Sequence, residues 1–258
     1  MAILKNEIPI LEFDTNKSAV IEPNHEGYNI SLPKKAVIAF LYKEVESYAS
    51  KNKAVKIGNF ITCSKNTPIY ITTYKGEEIA FCQAPVGSSA VTALMDWLIA
   101  YGAKEIIATG SCGTLIDMEE NQFLVPTKAL RDEGASYKYM MPSRYAFTSK
   151  EAVKAIEKTF KSINLPYMEV VTWTTDGFFR ETKDMVEYRK NEGCQVVEME
   201  CASMCAVAHF RNIVFGQILF TADTLANVDS YQTRDFGINS SEKALMLALD
   251  AVSRIETL

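Results

Sequence analysis

Short apolar runs of strand-like composition alternate with helical patterns along most of the chain, and this alternation restricts the fold more than any other feature. Ala36–Leu41, Ile106–Thr109 and Ile213–Thr221 have the composition of buried strands. Lys150–Ile163 and Ser241–Ile255 instead carry apolar residues at helical spacing. Such alternation predicts an α/β fold with a largely parallel or mixed sheet.

Two further sets of segments complete the prediction. Strands are also predicted at Ile57–Cys63, Thr67–Tyr74, Glu78–Gln83, Phe123–Pro126 and Met168–Trp173, and helices at Tyr42–Asn52, Ala90–Tyr101 and Lys183–Asn191. Prolines and turn residues interrupt every apolar run in residues 1–34, which predicts an N-terminal arm. We find no linker or repeat, so residues 1–258 are interpreted as a single domain that includes this arm.

Composition excludes several classes of function. The 258 residues are 48% apolar with a net charge of −5, which gives no electrostatic basis for binding nucleic acid or an anionic membrane. We identify no signal peptide and no apolar run approaching ~20 residues, so a cytoplasmic protein is expected. The six cysteines are irregularly spaced and there are only two histidines, so we expect neither a metal nor an organic cofactor.

The segment Val196–Ala208 joins the end of a strand to a buried helix and carries two carboxylates, Glu198 and Glu200. One glutamate is explained by capping, because acidic side chains stabilise the positive end of a helix dipole. A second carboxylate beside so apolar a helix is costly unless it has partners. It could instead line a pocket and accept hydrogen bonds from a ligand, such as the neighbouring hydroxyls of a ribose.

Three predicted turns lie at the carboxyl ends of strands, where α/β sheets bind ligands. These are residues 110–113, 174–178 and 221–223. The start of Val196–Ala208 occupies a similar position. We therefore expect four separate segments to form one site.

In this order the motifs resemble the nucleoside phosphorylase superfamily, over residues 35–255. The resemblance rests on Val197–Glu200 (VEME), Thr109–Leu115 (TGSCGTL), Arg131–Ser136 (RDEGAS), Thr175–Phe179 (TDGFF) and Ala222-Asp223. It implies a three-layer-like α/β sandwich, in which helices flank a central mixed and mostly parallel sheet. It also implies a homo-oligomer (dimer, trimer or hexamer) that acts on small-molecule nucleosides and phosphate in nucleoside salvage.

The resemblance also assigns roles to the residues of these motifs. Met199 and Glu200 would bind the ribose, with Glu200 stabilising the positive charge that develops as the N-glycosidic bond breaks. Glu198 would share the ribose hydroxyls or simply cap the helix. Asp223 would protonate N7 of a purine, although its residue type also fits a cap. Phe178 would stack on the base or belong to the core. Gly110, Ser111 and Cys112 would bind phosphate.

The sequence departs from the phosphorylase pattern because two arginines usual for phosphate binding are missing. Arg131, Arg144 or Arg180 could replace them. Glu44-Val45 instead resembles the nucleosidases in which a glutamate activates water, although Glu44 also fits a solvated first helical turn. His25 resembles a histidine that reaches the ribose of a neighbouring subunit, although its position in the arm favours a surface loop residue.

Three functions are consistent with these residues. The first is phosphorolysis of a ribonucleoside, with a purine base favoured by Asp223 and inorganic phosphate as co-substrate. The second is hydrolysis of the same bond by water that Glu44 activates. The third is a non-catalytic nucleoside-binding protein that has lost the phosphate site.

Overall fold

A computed structural model describes residues 3–256. Residues 1–2 and 257–258 of the predicted domain lie outside the described residues. The strands are β1 (Lys35–Ala39), β2 (Val55–Ile61), β3 (Asn66–Tyr74), β4 (Glu77–Gln83), β5 (Glu105–Thr114), β6 (Phe123–Asp132), β7 (Tyr145–Phe147), β8 (Tyr167–Thr175), β9 (Val196–Glu198) and β10 (Val214–Thr224). The α-helices are α1 (Glu44–Lys51), α2 (Ser88–Ala100), α3 (Lys150–Ser162), α4 (Lys183–Asn191), α5 (Cys201–Arg211) and α6 (Ser241–Ser253).

These strands form one mixed sheet in the order β10-β6-β8-β9-β5-β1-β4-β3-β2, with β7 paired to β6. The central pairs β1–β4, β1–β5, β5–β10 and β6–β8 are parallel, whereas β2–β3 and β3–β4 are antiparallel. Because β10 pairs with both β5 and β6, part of the sheet closes on itself. The predicted mixed and mostly parallel sheet is confirmed.

Helices cover both faces of this sheet, and strand β1 shows why. Its alternate residues Ala36 and Ile38 belong to the hydrophobic cluster that includes α2 and α5. Val37 and Ala39 belong to a second cluster that includes residues of α1, α3 and α6. Successive side chains of a strand point to opposite faces, so the sheet is buried on both sides. The three-layer arrangement is therefore confirmed.

Four strands, β5, β6, β8 and β10, run past their predicted carboxyl ends. The turn predicted at residues 221–223 is wrong, because β10 continues to Thr224. We predicted a sharp turn at residues 110–113, and this is wrong because β5 continues to Thr114. A Cβ on Gly110 would lie 3.0 Å from the Cβ of Phe40, and one on Gly113 would lie 3.0 Å from a Leu225 methyl. These glycines therefore make room for packed side chains. Strand β6 likewise passes Pro126, where its register to β8 shifts; a proline cannot donate to the ladder, and the irregularity accommodates it.

The N-terminal arm is irregular apart from a 3₁₀ turn at Pro9–Leu11. It packs on its own chain, because Trp97 Nε1 donates to Glu26 at 3.0 Å and Leu32 N–H donates to the Tyr101 carbonyl at 2.8 Å. Among residues 3–256, no helix combines the length and apolar character that a membrane span requires.

Candidate active site

A cleft of about 1120 Å³ opens beyond the carboxyl ends of the central strands. The segments that line it come from β5, from the turn after β8, from the β9–α5 junction and from the end of β10. The structure thus brings together four of the predicted regions. Their lining residues include Gly110, Ser111, Cys112, Phe178, Glu198, Met199, Glu200 and Asp223.

Both carboxylate oxygens of Glu198 accept hydrogen bonds from other groups of the protein. Its Oε2 accepts hydrogen bonds from the N–H groups of Glu200 (2.8 Å) and Cys201 (2.6 Å), at the start of α5. Its Oε1 accepts from the hydroxyls of Thr174 (2.5 Å) and Thr172 (3.2 Å). Burial raises the pKa of Glu198, and these four donors oppose that rise. Glu198 is therefore the helix-capping carboxylate of the pair.

Glu200 is held differently, although its side chain is also buried, with 6% of its surface exposed. Its Oε1 accepts a hydrogen bond from the N–H of Gly87 at 2.6 Å, and its carboxyl group lines the cleft. Gly87 has φ +99°, a backbone conformation that glycine adopts without strain. Burial, and secondarily the charge of Glu198, raises the pKa of Glu200 to about 8. Its neighbour Met199 also lines the cleft.

Asp223 lies near the end of β10, half-buried in another part of the cleft wall. Burial raises its pKa, while a hydrogen bond from Tyr231 and the charge of Arg234 act in the opposite direction. Phe178 lines the same cleft and is 52% exposed, so it belongs to the cleft wall and not to the core. An acidic side chain and an aromatic ring therefore both face this cleft.

Glu181 also lines the cleft, and no sequence motif singled it out. Burial, and secondarily the charge of Asp223, raises its pKa to about 7. It follows the Phe178–Arg180 turn, three residues after Phe178. The sequence motif ends at Phe179, and only the folded chain brings Glu181 close enough to Asp223 for the charge of one to act on the other.

The predicted anion-binding residues are only partly available. Ser111 is exposed on the cleft wall, with Gly110 beside it. Cys112 is buried, and its thiol donates to the Phe220 carbonyl at 3.5 Å. Burial raises the pKa of this thiol well above its ordinary value, which keeps it neutral.

None of the three arginines considered as phosphate ligands lines the cleft. Arg131 is 4% exposed and donates to Ser136 Oγ (2.8 Å) and to the Met141 carbonyl (2.8 Å). Arg144 is paired with Glu192. Arg180 is exposed outside the cleft.

Two lysines, Lys65 and Lys183, line the cleft. Lys183 is paired with Asp229 at 2.5 Å. Lys65 follows the end of β2, and none of the ion pairs within residues 3–256 includes it. Its charge acts on the buried Cys82 thiol, whose pKa it lowers against the larger effect of burial. Lys65 is therefore a cation of the cleft that the sequence motifs did not indicate.

Two predicted residues lie outside the cleft of this chain. Glu44 begins α1 and lines a separate depression of about 120 Å³ together with Glu242 and Met246. His25 is exposed in the arm, where its Nδ1 lies 2.8 Å from the Glu22 carbonyl oxygen. Within a single chain, the structure brings neither residue to Glu200.

No group of three or more His, Cys, Asp or Glu side chains in the described part of the chain is arranged to hold a metal ion. The chemistry that the cleft offers is that of buried carboxyl groups, hydroxyls and an ammonium group. Such a set can stabilise a developing cation, donate a proton and bind an anion.

Comparison with known proteins supports the resemblance found in the sequence. The profile of the phosphorylase superfamily matches residues 34–254. Guanosine phosphorylase from Halorubrum lacusprofundi is 24% identical over 196 residues, which are 71% of this chain and 79% of the relative. Uridine phosphorylase from Vibrio fischeri has a similar fold (TM-score 0.75, 20% identity, 91% and 95% coverage), as does AMP nucleosidase from Bacteroides thetaiotaomicron (TM-score 0.70, 21% identity, 86% and 88% coverage). The chain therefore belongs to the phosphorylase superfamily.

Proposed function

We propose that this protein cleaves the N-glycosidic bond of a purine ribonucleoside with inorganic phosphate, giving free base and ribose 1-phosphate. The observation that carries this proposal is that Glu200, Asp223 and Lys65 line the same cleft. Each side chain fits one requirement of the reaction. The sugar needs a carboxylate, the leaving base needs an acid, and phosphate needs a cation.

Glu200 is proposed to bind the ribose and to stabilise the cationic transition state. With its pKa raised to about 8, its side chain favours the neutral form near pH 7. Hydroxyl groups that donate to a carboxylate favour its ionised form, so bound ribose would shift Glu200 towards the charged state. The charge would then lie beside the sugar as positive charge develops there. Glu198 supports this arrangement by capping α5 and fixing the backbone of Glu200.

Asp223 is proposed to donate a proton to N7 of the leaving purine. A general acid must hold its proton near the working pH, and burial moves the pKa of Asp223 in that direction. Phe178 would pack against the base plane, because its ring lines the same cleft. The choice of a purine rests on this carboxyl group, since N7 is the atom it would protonate.

Phosphate is proposed to bind between Lys65 and the Ser111 hydroxyl, because none of the arginines considered as replacements lines the cleft. An ammonium group binds phosphate as a point charge and a hydroxyl adds a hydrogen bond. Hydrolysis by water activated at Glu44 has less support, because Glu44 lines a different depression. His25 stays a prediction about assembly, in which a neighbouring subunit would supply it to the ribose.

One experiment separates the three functions suggested by the sequence. The protein is incubated with inosine, guanosine, adenosine and uridine, with and without phosphate, and free base and ribose 1-phosphate are measured. Release of a purine base together with ribose 1-phosphate, only when phosphate is present, supports the proposal. Release without phosphate would indicate a nucleosidase, and binding without turnover in either condition would indicate a binding protein.

A further inference from the structure

Glu181 holds a fixed place in the cleft because both of its backbone neighbours are anchored. Its N–H donates to the Phe178 carbonyl at 3.2 Å, which closes the 3₁₀ turn before it. The next residue, Thr182, caps α4 by accepting a hydrogen bond from the Met185 N–H at 3.4 Å. The side chain between these anchors lines the same cleft as Asp223.

Charged and titratable groups around Glu181 come from three segments. Asp223 from β10 raises its pKa, after the larger effect of burial. From the segment after β10, Tyr231 donates to Asp223 and the charge of Arg234 acts on that same carboxyl group. On α4, Lys183 forms an ion pair with Asp229. No ion pair within residues 3–256 contains Glu181, so no salt bridge fixes the charge of this half-buried carboxyl group.

Purine chemistry gives this second carboxyl group a target. N7 and the substituent at position 6 lie side by side on one edge of a purine. Guanine presents two acceptors there, N7 and O6, whereas adenine presents the N7 acceptor and an amino donor. Glu181 and Asp223 line one cleft, and the charge of Asp223 acts on Glu181, so together they offer two carboxyl groups to two neighbouring polar atoms. Asp223 is already assigned to N7 under the proposed function, on which this inference rests.

We propose that Glu181 is a specificity-determining residue that contacts the substituent at position 6 of the purine while Asp223 contacts N7. In its neutral form Glu181 donates a hydrogen bond to O6 of a 6-oxopurine. In its ionised form it accepts one from the amino group of a 6-aminopurine. Because the pKa of Glu181 is raised to about 7, base preference shifts from 6-oxopurine to 6-aminopurine as pH rises through neutrality.

The test is the ratio of kcat/KM for adenosine to kcat/KM for inosine, measured with saturating phosphate at intervals from pH 5.5 to 8. Effects of pH on Glu200, on phosphate and on N7 protonation act on both substrates and cancel in the ratio. We expect the ratio to rise at least about tenfold across this range, as for one hydrogen bond to a charged group. Glu181→Gln, which cannot ionise, should make the ratio independent of pH.

Glu187→Gln is the matched control, because Glu187 lies on α4 outside the cleft and is paired with Lys190. It should keep the wild-type pH dependence. A wild-type ratio that does not change with pH overturns the inference without any variant. Cleavage of only one of the two nucleosides at every pH overturns it as well. An unchanged slope in Glu181→Gln also overturns it. These outcomes leave phosphorolysis standing, whereas a wild-type protein that cleaves neither nucleoside refutes the proposed function and this inference together.

Discussion

Replacing Glu200 by glutamine tests the central assignment, because the change removes the charge and keeps the shape. The amide oxygen can still accept the hydrogen bond from the Gly87 N–H, now 2.6 Å from Oε1. Glu200 is 6% exposed, and glutamine has nearly the same size, so the variant changes the charge in the cleft and leaves the burial of the side chain unchanged. Removing one group that stabilises transition-state charge costs about 3–4 kcal/mol, so kcat should fall by about 10²–10³-fold.

The thermal stability of Glu200→Gln should rise, although its activity falls. The pKa of Glu200 is raised from its ordinary 4.5 to about 8 in the folded protein. Between these values the folded protein keeps a proton that the unfolded chain has released, so the free energy of unfolding decreases as pH rises from 4.5 to 8. Glutamine does not titrate. The Tm of Glu200→Gln should therefore exceed that of the wild type by more at pH 8 than at pH 5.

Two measurements on the same samples decide this prediction. Steady-state phosphorolysis gives kcat, and thermal unfolding without substrate gives Tm at both pH values. A loss of kcat below about tenfold would refute the role of Glu200 at the transition state, since one lost charge interaction should exceed that. A Tm that falls with the activity would show that Glu200 is instead a structural residue like its neighbour.

Two further variants separate structure from catalysis. Glu198→Ala leaves two buried N–H groups at the start of α5 without their acceptor, which should cost about 4 kcal/mol and lower Tm by roughly 10 °C; a Tm within 2 °C of wild type in thermal unfolding would contradict the capping role. Lys65→Met should raise KM for phosphate at least about tenfold with little change in KM for nucleoside, as for one lost contact between an ammonium group and an anion. Lys154→Met, on the exposed side of α3, is its control, and equal KM values for phosphate in the two variants would exclude Lys65 from the anion site.

Local pattern was enough for the fold class and for most of the elements. Alternating β and α periodicities predicted the mixed α/β sheet, because each element must bury an apolar face and only a covered sheet can do so. The bounds of Lys183–Asn191 follow directly from its sequence. Residues 110–113 show the limit, since glycines in a strand and glycines in a turn are alike until the packed partners, Phe40 and Leu225, are known.

The two glutamates of the central motif show what tertiary structure decides. The residue pattern assigned one of Glu198 and Glu200 to capping without showing which, and the family resemblance left Glu198 as either a ribose ligand or a cap. The hydroxyls of Thr172 and Thr174 on β8 complete the hydrogen bonds of Glu198, and the N–H of Gly87 reaches Glu200 from a loop more than a hundred residues earlier. Neither set of contacts has a local signal.

The residues of the cleft show the same difference between what the sequence determined and what the tertiary structure decided. The sequence determined that carboxyl groups at strand ends would converge, because the carboxyl ends of parallel strands meet at one edge of a sheet. Only the tertiary structure decided which charges enter the cleft: it placed Lys65 and Glu181 there, and placed Arg131 and Glu44 elsewhere. The physical reason is that the pKa and the partner of a charged side chain depend on burial and on distant segments, which periodicity along the chain does not encode.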